Sequence, residues 1–395
     1  MNVILFDDAA IRMELLPFTF TRPVAALRTG ILTIAEKWEK YLSEPVSYLT
    51  EDYLQGKYPA QFSGDHLFVN GAICPDPSLV EAVRSLTTGQ SLMKGQLLLA
   101  TRTGEKNPKV AGARAIEYAG TFHVIDDPCK LFQDNAAQIV SDFELVTAGR
   151  KSAGWSDPHT RVYGADQVFV EEGAVIQAAV LNASTGPIYI GKNTEVQEGS
   201  LIRGPFVLGD QSVLNMGCKM RGNITIGPMC KMGGEVSNAV VLGYSNKAHD
   251  GYLGSSVIGE WCNLGADTNT SNLKNNYDAV KLWSYAKGGF RSTGLTFVGL
   301  MMGDHSKCGI NTMFNSGTVT GVSANIFGDG YPRNFIPSFA WGGTAGFSTF
   351  QLSRALETAE RAMGRRSTKL SDADRPILKT VFEMTAHERV WEKKP

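Results

Sequence analysis

Apolar residues fall at every sixth position from Ile190 onward: Ile190, Val196, Ile202, Leu208, Leu214, Met220, Ile226 and Met232. With 43% apolar residues in the chain, eight such hits in a chosen phase arise by chance roughly once in a thousand. Glycine follows four of them, at Gly191, Gly209, Gly227 and Gly233. Small residues, or valine, stand four places on, at Thr194, Ser200, Ser212, Cys218, Cys230 and Val236; the larger Phe206 and Ile224 depart from that rule. A period of six suits neither a 3.6-residue helix nor two-residue strand alternation. It predicts a parallel β-helix of the hexapeptide kind, in which three units close one triangular coil. The aliphatic residue points into the prism, and glycine or a small polar residue takes the turn. The alternative, a glycine-rich β-sandwich, would not hold a six-residue phase over eight units.

The pattern extends unevenly on both sides. Val170 and Ile176 share an earlier phase. Ile258 and Leu264 share a later one, after an interruption over 238–252, and Val298, Ile310 and Val322 return to the first. A β-helix over 165–340 is therefore expected. Residues 268–291 break the repeat and are rich in Asn, Lys and Tyr, as a protruding functional insertion would be. Before it, 1–160 alternates expected strands (3–6, 46–49, 66–69, 96–100) with helices (30–41, 78–86), which predicts an α/β domain. After it, helices over 350–365 and 374–388 are expected in a 345–395 cap that shields the open end of the β-helix.

Composition narrows the function. Lys+Arg number 38 and Asp+Glu 39, a net charge of −1, so no basic excess invites nucleic acid or an anionic membrane. No apolar run reaches the ~20 residues that span a bilayer. The first apolar stretch, Val3–Phe6, is short and followed by Asp7 and Asp8, a strand rather than a signal peptide. A cytoplasmic location is expected. The six cysteines form no C-x-x-C pair, so reduced thiols and no metal site are expected. A zinc hydratase would need three converging histidines, and the repeat offers only His249 and His305.

The turn Asn246-Lys247-Ala248-His249-Asp250-Gly251-Tyr252-Leu253-Gly254 resembles the acetyl-transfer segment of the GlmU family. These proteins join glucosamine-1-phosphate acetyltransferase to N-acetylglucosamine-1-phosphate uridylyltransferase. Lys247, Ala248, His249, Tyr252, Leu253 and Gly254 match, with one residue fewer before the histidine. Asn263-Leu264-Gly265-Ala266-Asp267 and Ser271-Asn272-Leu273-Lys274-Asn275 stand at the spacing of two further family segments. The order of an N-terminal nucleotidyltransferase-like domain and a left-handed β-helix also resembles that family. So does the Thr19-Phe20-Thr21-Arg22-Pro23 opening, similar to a divergent Bacteroidetes-type branch.

The resemblance implies roles. His249 would be the general base and Glu235 its orienting partner. Tyr252, Asn263 and Asn272 would hold an amino-sugar phosphate, with Lys219 or Arg221 at its phosphate. Ala266 would line the acetyl-CoA groove, and the chain would be a homotrimer. Departures accompany the matches: Ser237-Asn238 replaces paired lysines, Leu273 a tyrosine, and Ile310 falls near a CoA-facing serine. The first domain lacks the glycine-rich phosphate loop, and Val69-Asn70-Gly71 stands where a Mg²⁺-carrying Gly-Asp is expected. Any phosphate grip there would fall to Arg12, Arg22 and Arg28, and Mg²⁺ would matter only if that domain is active. The expected function is acetyl-CoA-dependent N-acetylation of an amino-sugar phosphate in nucleotide-sugar synthesis, with a nucleoside triphosphate as a further ligand of an active first domain. The alternatives are a nucleotidyltransferase whose β-helix serves trimerisation, and a non-catalytic sugar-nucleotide-binding protein.

Overall fold

A computed structural model describes residues 2–109 and 111–392. Two compact units make up the chain. The first comprises Met1–Leu15, Thr21–Leu27 and Leu32–Asp127; the second comprises Leu16–Phe20, Arg28–Ile31 and Pro128–Pro395.

The first unit is an α/β layer structure. Its six-stranded sheet runs Val46–Leu49, Asn2–Phe6, His66–Asn70, Leu97–Thr103, Gln90–Lys94 and Arg114–Glu117 in spatial order. Asn2–Phe6 pairs in parallel with both neighbours, so its near-continuous apolar run is buried on both faces. The helix expected from residue 30 begins instead at Ile34. Thr33 accepts from the Glu36 amide and Glu36 reaches back to the Thr33 amide, a capping box that fixes the start. Asp76 caps the helix Pro77–Arg84.

The second unit carries a parallel β-helix of about ten turns, of the left-handed hexapeptide kind. Ile188, Phe206 and Ile224 pair directly in successive coils, eighteen residues apart, or three units of six. All eight residues of the six-step series are at most 2% exposed. The phase then slips because the coils change length. Ile226 pairs with Val241, Val241 with Ile258, Ile258 with Met302 and Met302 with Thr320. The supposed interruption over 238–252 is thus not a break. Glu235–Gly243 and Tyr252–Glu260 are nine-residue strands that run through one corner of the prism. Ile310, expected in the aliphatic phase, is 70% exposed, and Cys308 takes the inward place. The 268–291 insertion ends in an antiparallel hairpin, Lys281–Ser284 with Gly289–Ser292.

One corner departs from the expected small residues. Met229, Tyr244, Trp261, His305 and Phe339 all adopt left-handed backbone there. Tyr244 and Trp261 stack at 4.3 Å between ring centroids, which offsets part of the conformational cost. The helix Asn135–Thr147 groups with the β-helix. Asn135 accepts from Gly30 N and Thr225 Oγ1, and Asp142 accepts from Ile31 N. Gly30 has φ +81°, and a Cβ there would sit 2.5 Å from Asp142 Oδ2, so only glycine fits. At the far end, Gly346–Thr349 folds back antiparallel on Ala340–Gly343 and covers that strand edge. Helices Leu352–Gly364 and Asp374–Met384 follow, and Phe382 packs edge-on against Phe339. No described helix is long and apolar enough to cross a membrane. All six cysteines are free and buried.

Candidate functional site

The β-helix gathers five of the residues expected at the site onto one face. Lys219 pairs with Glu235 and Glu235 with Tyr252 in consecutive coils. Because successive residues of a strand point to opposite sides, Met220, Val236 and Leu253 face inward while these three face out. Arg221 reaches Glu235 at 2.8 Å. Asn272, from the start of the insertion, donates to the Tyr252 hydroxyl and to Ser255 Oγ, both at 3.3 Å. Ser255 also accepts from Asn238 at 3.2 Å. The Glu235 carboxylate therefore lies on Arg221, and it raises the already basic guanidinium further. Burial raises the Tyr252 phenol, and the Asn272 hydrogen bond opposes this.

His249 stands at the corner that leads into the strand beginning at Tyr252, and it is exposed. Register places Ala266 on the same corner one coil further and Ile310 one coil beyond that. Asn263 lies on the neighbouring face. It accepts from Asn246 at 3.4 Å and lines a cleft with Lys231, Lys307, Arg361 and Arg366. The structure thus brings Lys219, Arg221, Glu235, Tyr252 and Asn272 together, puts His249 and Ala266 on the adjoining corner, and sets Asn263 apart.

Lys247 holds the His249 turn from inside. It occupies the inward column of the β-helix, paired with Met232 in the preceding coil, and is 2% exposed. Its ammonium donates to three carbonyl oxygens: His249 at 2.9 Å, and Gly233 and Asp250 at 3.3 Å. Burial lowers its pKa to about 8, against the pull of Asp250 and Asp267. Gly251, at φ +110°, closes the turn against Thr268; a Cβ would meet the Thr268 carbonyl oxygen at 2.2 Å. The resemblance marked Lys247 as a match but gave it no role. Its signal in the sequence is a lysine on the aliphatic column, visible only once the fifteen-residue coil is known.

In the first unit, Arg12 is 5% exposed and fully engaged. It donates to Asp7 Oδ2, the Arg22 carbonyl and the Tyr53 hydroxyl, each at 3.0 Å. Asp7 also accepts from Val24 N and Thr50 Oγ1. Burial raises the Asp7 carboxyl, and Arg12 opposes that. Asp8 caps the helix Ala9–Glu14 by accepting from the Ala10 and Ile11 amides at 3.0 and 3.2 Å. Those amides are the groups a phosphate would need. Arg22 is buried as well. Arg28 belongs to the second unit, where it donates to the Ile31 carbonyl. Asn70 is fully buried, with its amide on Leu98 O and its oxygen on Ala72 N. With an amide in place of a carboxylate and both polar atoms committed, these residues do not fit a Mg²⁺ ion. Among the described residues no three carboxylate, histidine or cysteine groups cluster as metal ligands.

Fold and site define a class: an α/β unit of nucleotidyltransferase type joined to a hexapeptide β-helix with a polar, outward-facing corner. Comparison with known proteins agrees. Residues 3–151 match the family model for sugar nucleotidyl transferase. The chain is similar, as a divergent relative, to the GlmU family. It is 28% identical over 158 residues to the bifunctional protein GlmU of Rippkaea orientalis, covering 34% of each chain. It is 34% identical over 92 residues to that of Methanocaldococcus jannaschii, 23% of this chain and 22% of the other. The bifunctional sugar-1-phosphate nucleotidylyltransferase/acetyltransferase of Sulfurisphaera tokodaii is 31% identical over 144 residues, 36% of this chain and 35% of that one. The match spans about a third or less of the length of the first of these relatives. Among solved structures, an Arabidopsis UDP-N-acetylglucosamine acyltransferase aligns over 60% of this chain and 93% of its own, at 12% identity and a TM-score of 0.24. That likeness is too low to bear on function.

Proposed function

We propose that the β-helix unit transfers an acetyl group from acetyl-CoA to the amine of an amino-sugar phosphate. The observation that carries this reading is the contiguous outward cluster of Lys219, Arg221, Glu235, Tyr252 and Asn272 beside an exposed His249. It offers cations for a phosphate, neutral polar groups for sugar hydroxyls and one imidazole. An amine must shed a proton as it adds to a thioester carbonyl. Imidazole is the side chain whose charge changes between pH 5 and 8, so His249 takes that proton. The tetrahedral adduct then collapses: the C–N bond stays, the C–S bond breaks, and the protonated His249 returns its proton to the departing sulfur, which leaves as the CoA thiol. Glu235 positions Arg221 for the phosphate rather than orienting His249. Tyr252 and Asn272 orient the sugar, and Ala266, small and half-buried, leaves room for the acetyl-CoA arm along the corner.

The match of residues 3–151 supports a coupled role in nucleotide-sugar synthesis, with a nucleoside triphosphate as second ligand. The engaged Arg12 and the Asp8-capped helix favour weak or unorthodox nucleotidyl transfer in this unit. We further propose a cytoplasmic homotrimer, since resembling enzymes complete the acetyl-CoA site with a neighbouring subunit. Incubation with acetyl-CoA and a panel of amino-sugar phosphates, with thiol release followed, tests the central claim. Release with none of them refutes it; pyrophosphate release alone would favour the reading in which the β-helix serves assembly.

A further inference from the structure

Three successive coils turn one corner of the β-helix on a left-handed residue that is not glycine: Asn223 at φ +51°, Asn238 at +53° and Ser255 at +46°. Register stacks them. Ile224 pairs with Ala239, Ser237 pairs with Gly254 and Ala239 with Ser256, so Asn238 and Ser255 stand opposite each other. Asparagine tolerates this backbone through its short amide, which bonds locally. Serine has less to recommend it there, and Ser255 is buried, at 3% exposure. What the serine supplies is an oxygen.

Its Oγ accepts from Asn238 Nδ2 at 3.2 Å and from Asn272 Nδ2 at 3.3 Å. The polarity of this ladder is set from behind. Asn135 Oδ1 accepts from Gly30 N and Thr225 Oγ1, so its amide donates to Asn223 Oδ1 at 3.2 Å. Asn223 in turn donates to the Phe132 carbonyl at 2.8 Å and to Asn238 Oδ1. Asn238 is left with its NH₂ group toward Ser255. At the front, Asn272 donates to the Tyr252 hydroxyl as well, at 3.3 Å. Gly254 makes room for that phenol: a Cβ there would sit 2.2 Å from Tyr252 Oη. Because the Tyr252 oxygen accepts from Asn272, it keeps its own proton for an acceptor outside the protein.

We infer that Ser255 is a positioning residue for the acceptor sugar: held by Asn238, it fixes Asn272, and through Asn272 the Tyr252 phenol that donates to a sugar hydroxyl. This rests on the reading of Tyr252 and Asn272 as sugar-binding groups. Glycine would suit the left-handed backbone better but would anchor nothing. Serine keeps the strain and supplies one oxygen that two amides share. The same chain offers a matched case without the ladder. Ser323 is also left-handed, at φ +54°, and also 3% exposed, but its Oγ has no hydrogen-bond partner among the described residues. Strain relief acts at both serines, whereas positioning acts at Ser255 alone.

The test compares Ser255→Gly with Ser323→Gly in the full chain. Glycine relieves the backbone at both positions, so each variant should melt no more than about 3 °C below wild type. Only Ser255→Gly should raise KM for the amino-sugar phosphate, by about three- to tenfold, with kcat and the KM for acetyl-CoA little changed. Fluorine NMR of protein made with 3-fluorotyrosine, the resonance of Tyr252 assigned through Tyr252→Phe, gives a readout that needs no turnover. Ser255→Gly should shift or broaden that resonance, and Ser323→Gly should leave it in place. If wild type acetylates no amino-sugar phosphate, the sugar reading fails; a moved fluorine signal would still support the hold of Ser255 on Tyr252, and an unmoved one would overturn it. An unmoved resonance in a folded Ser255→Gly overturns the inference in any case. So does an unchanged KM in the active variant, an equal effect from Ser323→Gly, or a melting temperature lowered well beyond that range, which would make the ladder structural.

Discussion

Lys247→Met tests how the His249 turn is held. Methionine matches the residue one coil earlier, Met232, and fills the same inward column. The native ammonium is 2% exposed, with a pKa lowered by burial from 10.5 to about 8. At 1.36 kcal/mol per unit, that shift corresponds to about 3 kcal/mol held against the charged form. Removing the charge recovers this. The loss is three donated hydrogen bonds to carbonyls, each worth about 1 kcal/mol net. The two nearly cancel, so the variant should be within about 2 kcal/mol of wild type at pH 7.5.

The pH dependence should not cancel. Below pH 8 the lysine is protonated in folded and unfolded chains alike. Between pH 8 and 10.5 the folded lysine releases its proton while the unfolded one keeps it. The unfolded state then binds more protons, so wild-type stability rises with pH, by about 3 kcal/mol in all. Methionine cannot titrate. The stability gap between wild type and variant should therefore move in favour of wild type from pH 8 to pH 10, read by denaturant unfolding at several pH values. Acetyl transfer should fall even where stability does not, because two carbonyls of the turn, His249 and Asp250, lose the donor that ties them to Gly233 in the preceding coil. A gap flat in pH would refute the burial argument, and undiminished transfer would refute the positioning role.

Three further outcomes are expected. His249→Ala should lower kcat for acetyl transfer by about 10²–10⁴-fold with little change in KM for acetyl-CoA, since a base acts chiefly in the transition state; near-normal steady-state rates would remove it from the mechanism. Arg12→Met leaves the Asp7 carboxylate buried without its guanidinium, and calorimetry should show the first unit destabilised by about 3–5 kcal/mol. Loss of nucleotide binding with no change in melting would instead make Arg12 a ligand. Light scattering should give three times the 42.8 kDa chain mass, and a stable monomer at micromolar concentration would refute the trimer.

The six-step series was legible because its coils hold eighteen residues, so spacing in sequence equals stacking in space. Once Met232 pairs with Lys247 and Leu264 with Cys308, spacing no longer reports position. Ile310 looked inward by phase for that reason and lies outside. The same slip hid Lys247, whose inward column is clear only from the register. In the first unit, strands were placed within a few residues because apolar runs bury them on both faces. The start of the helix at Ile34 was carried by Thr33 and Glu36, a local cap that apolar periodicity does not register. Candidate residues fared according to face. Lys219, Glu235 and Tyr252 are register partners and meet; Asn263 follows the same segment of the resemblance but sits across the corner.

The unequal coils have a consequence for chemistry. A regular eighteen-residue coil places an aliphatic residue inward and a short turn outward at every corner, so its turns stack without a charged inner donor. Shortening one coil to fifteen residues merges two strands into Glu235–Gly243, which turns its corner at the left-handed Asn238 without leaving the strand. After the corner at Tyr244, the next is taken by the Ala248–Gly251 turn, two of whose carbonyls accept from below. A lysine in the aliphatic column supplies that donor, at the cost of burying a charge. An aliphatic residue there would pack well but leave the turn unpinned. The burial of Lys247 is therefore intelligible as positioning rather than stability, and it places the one exposed imidazole of the turn directly beside the polar ladder it would serve.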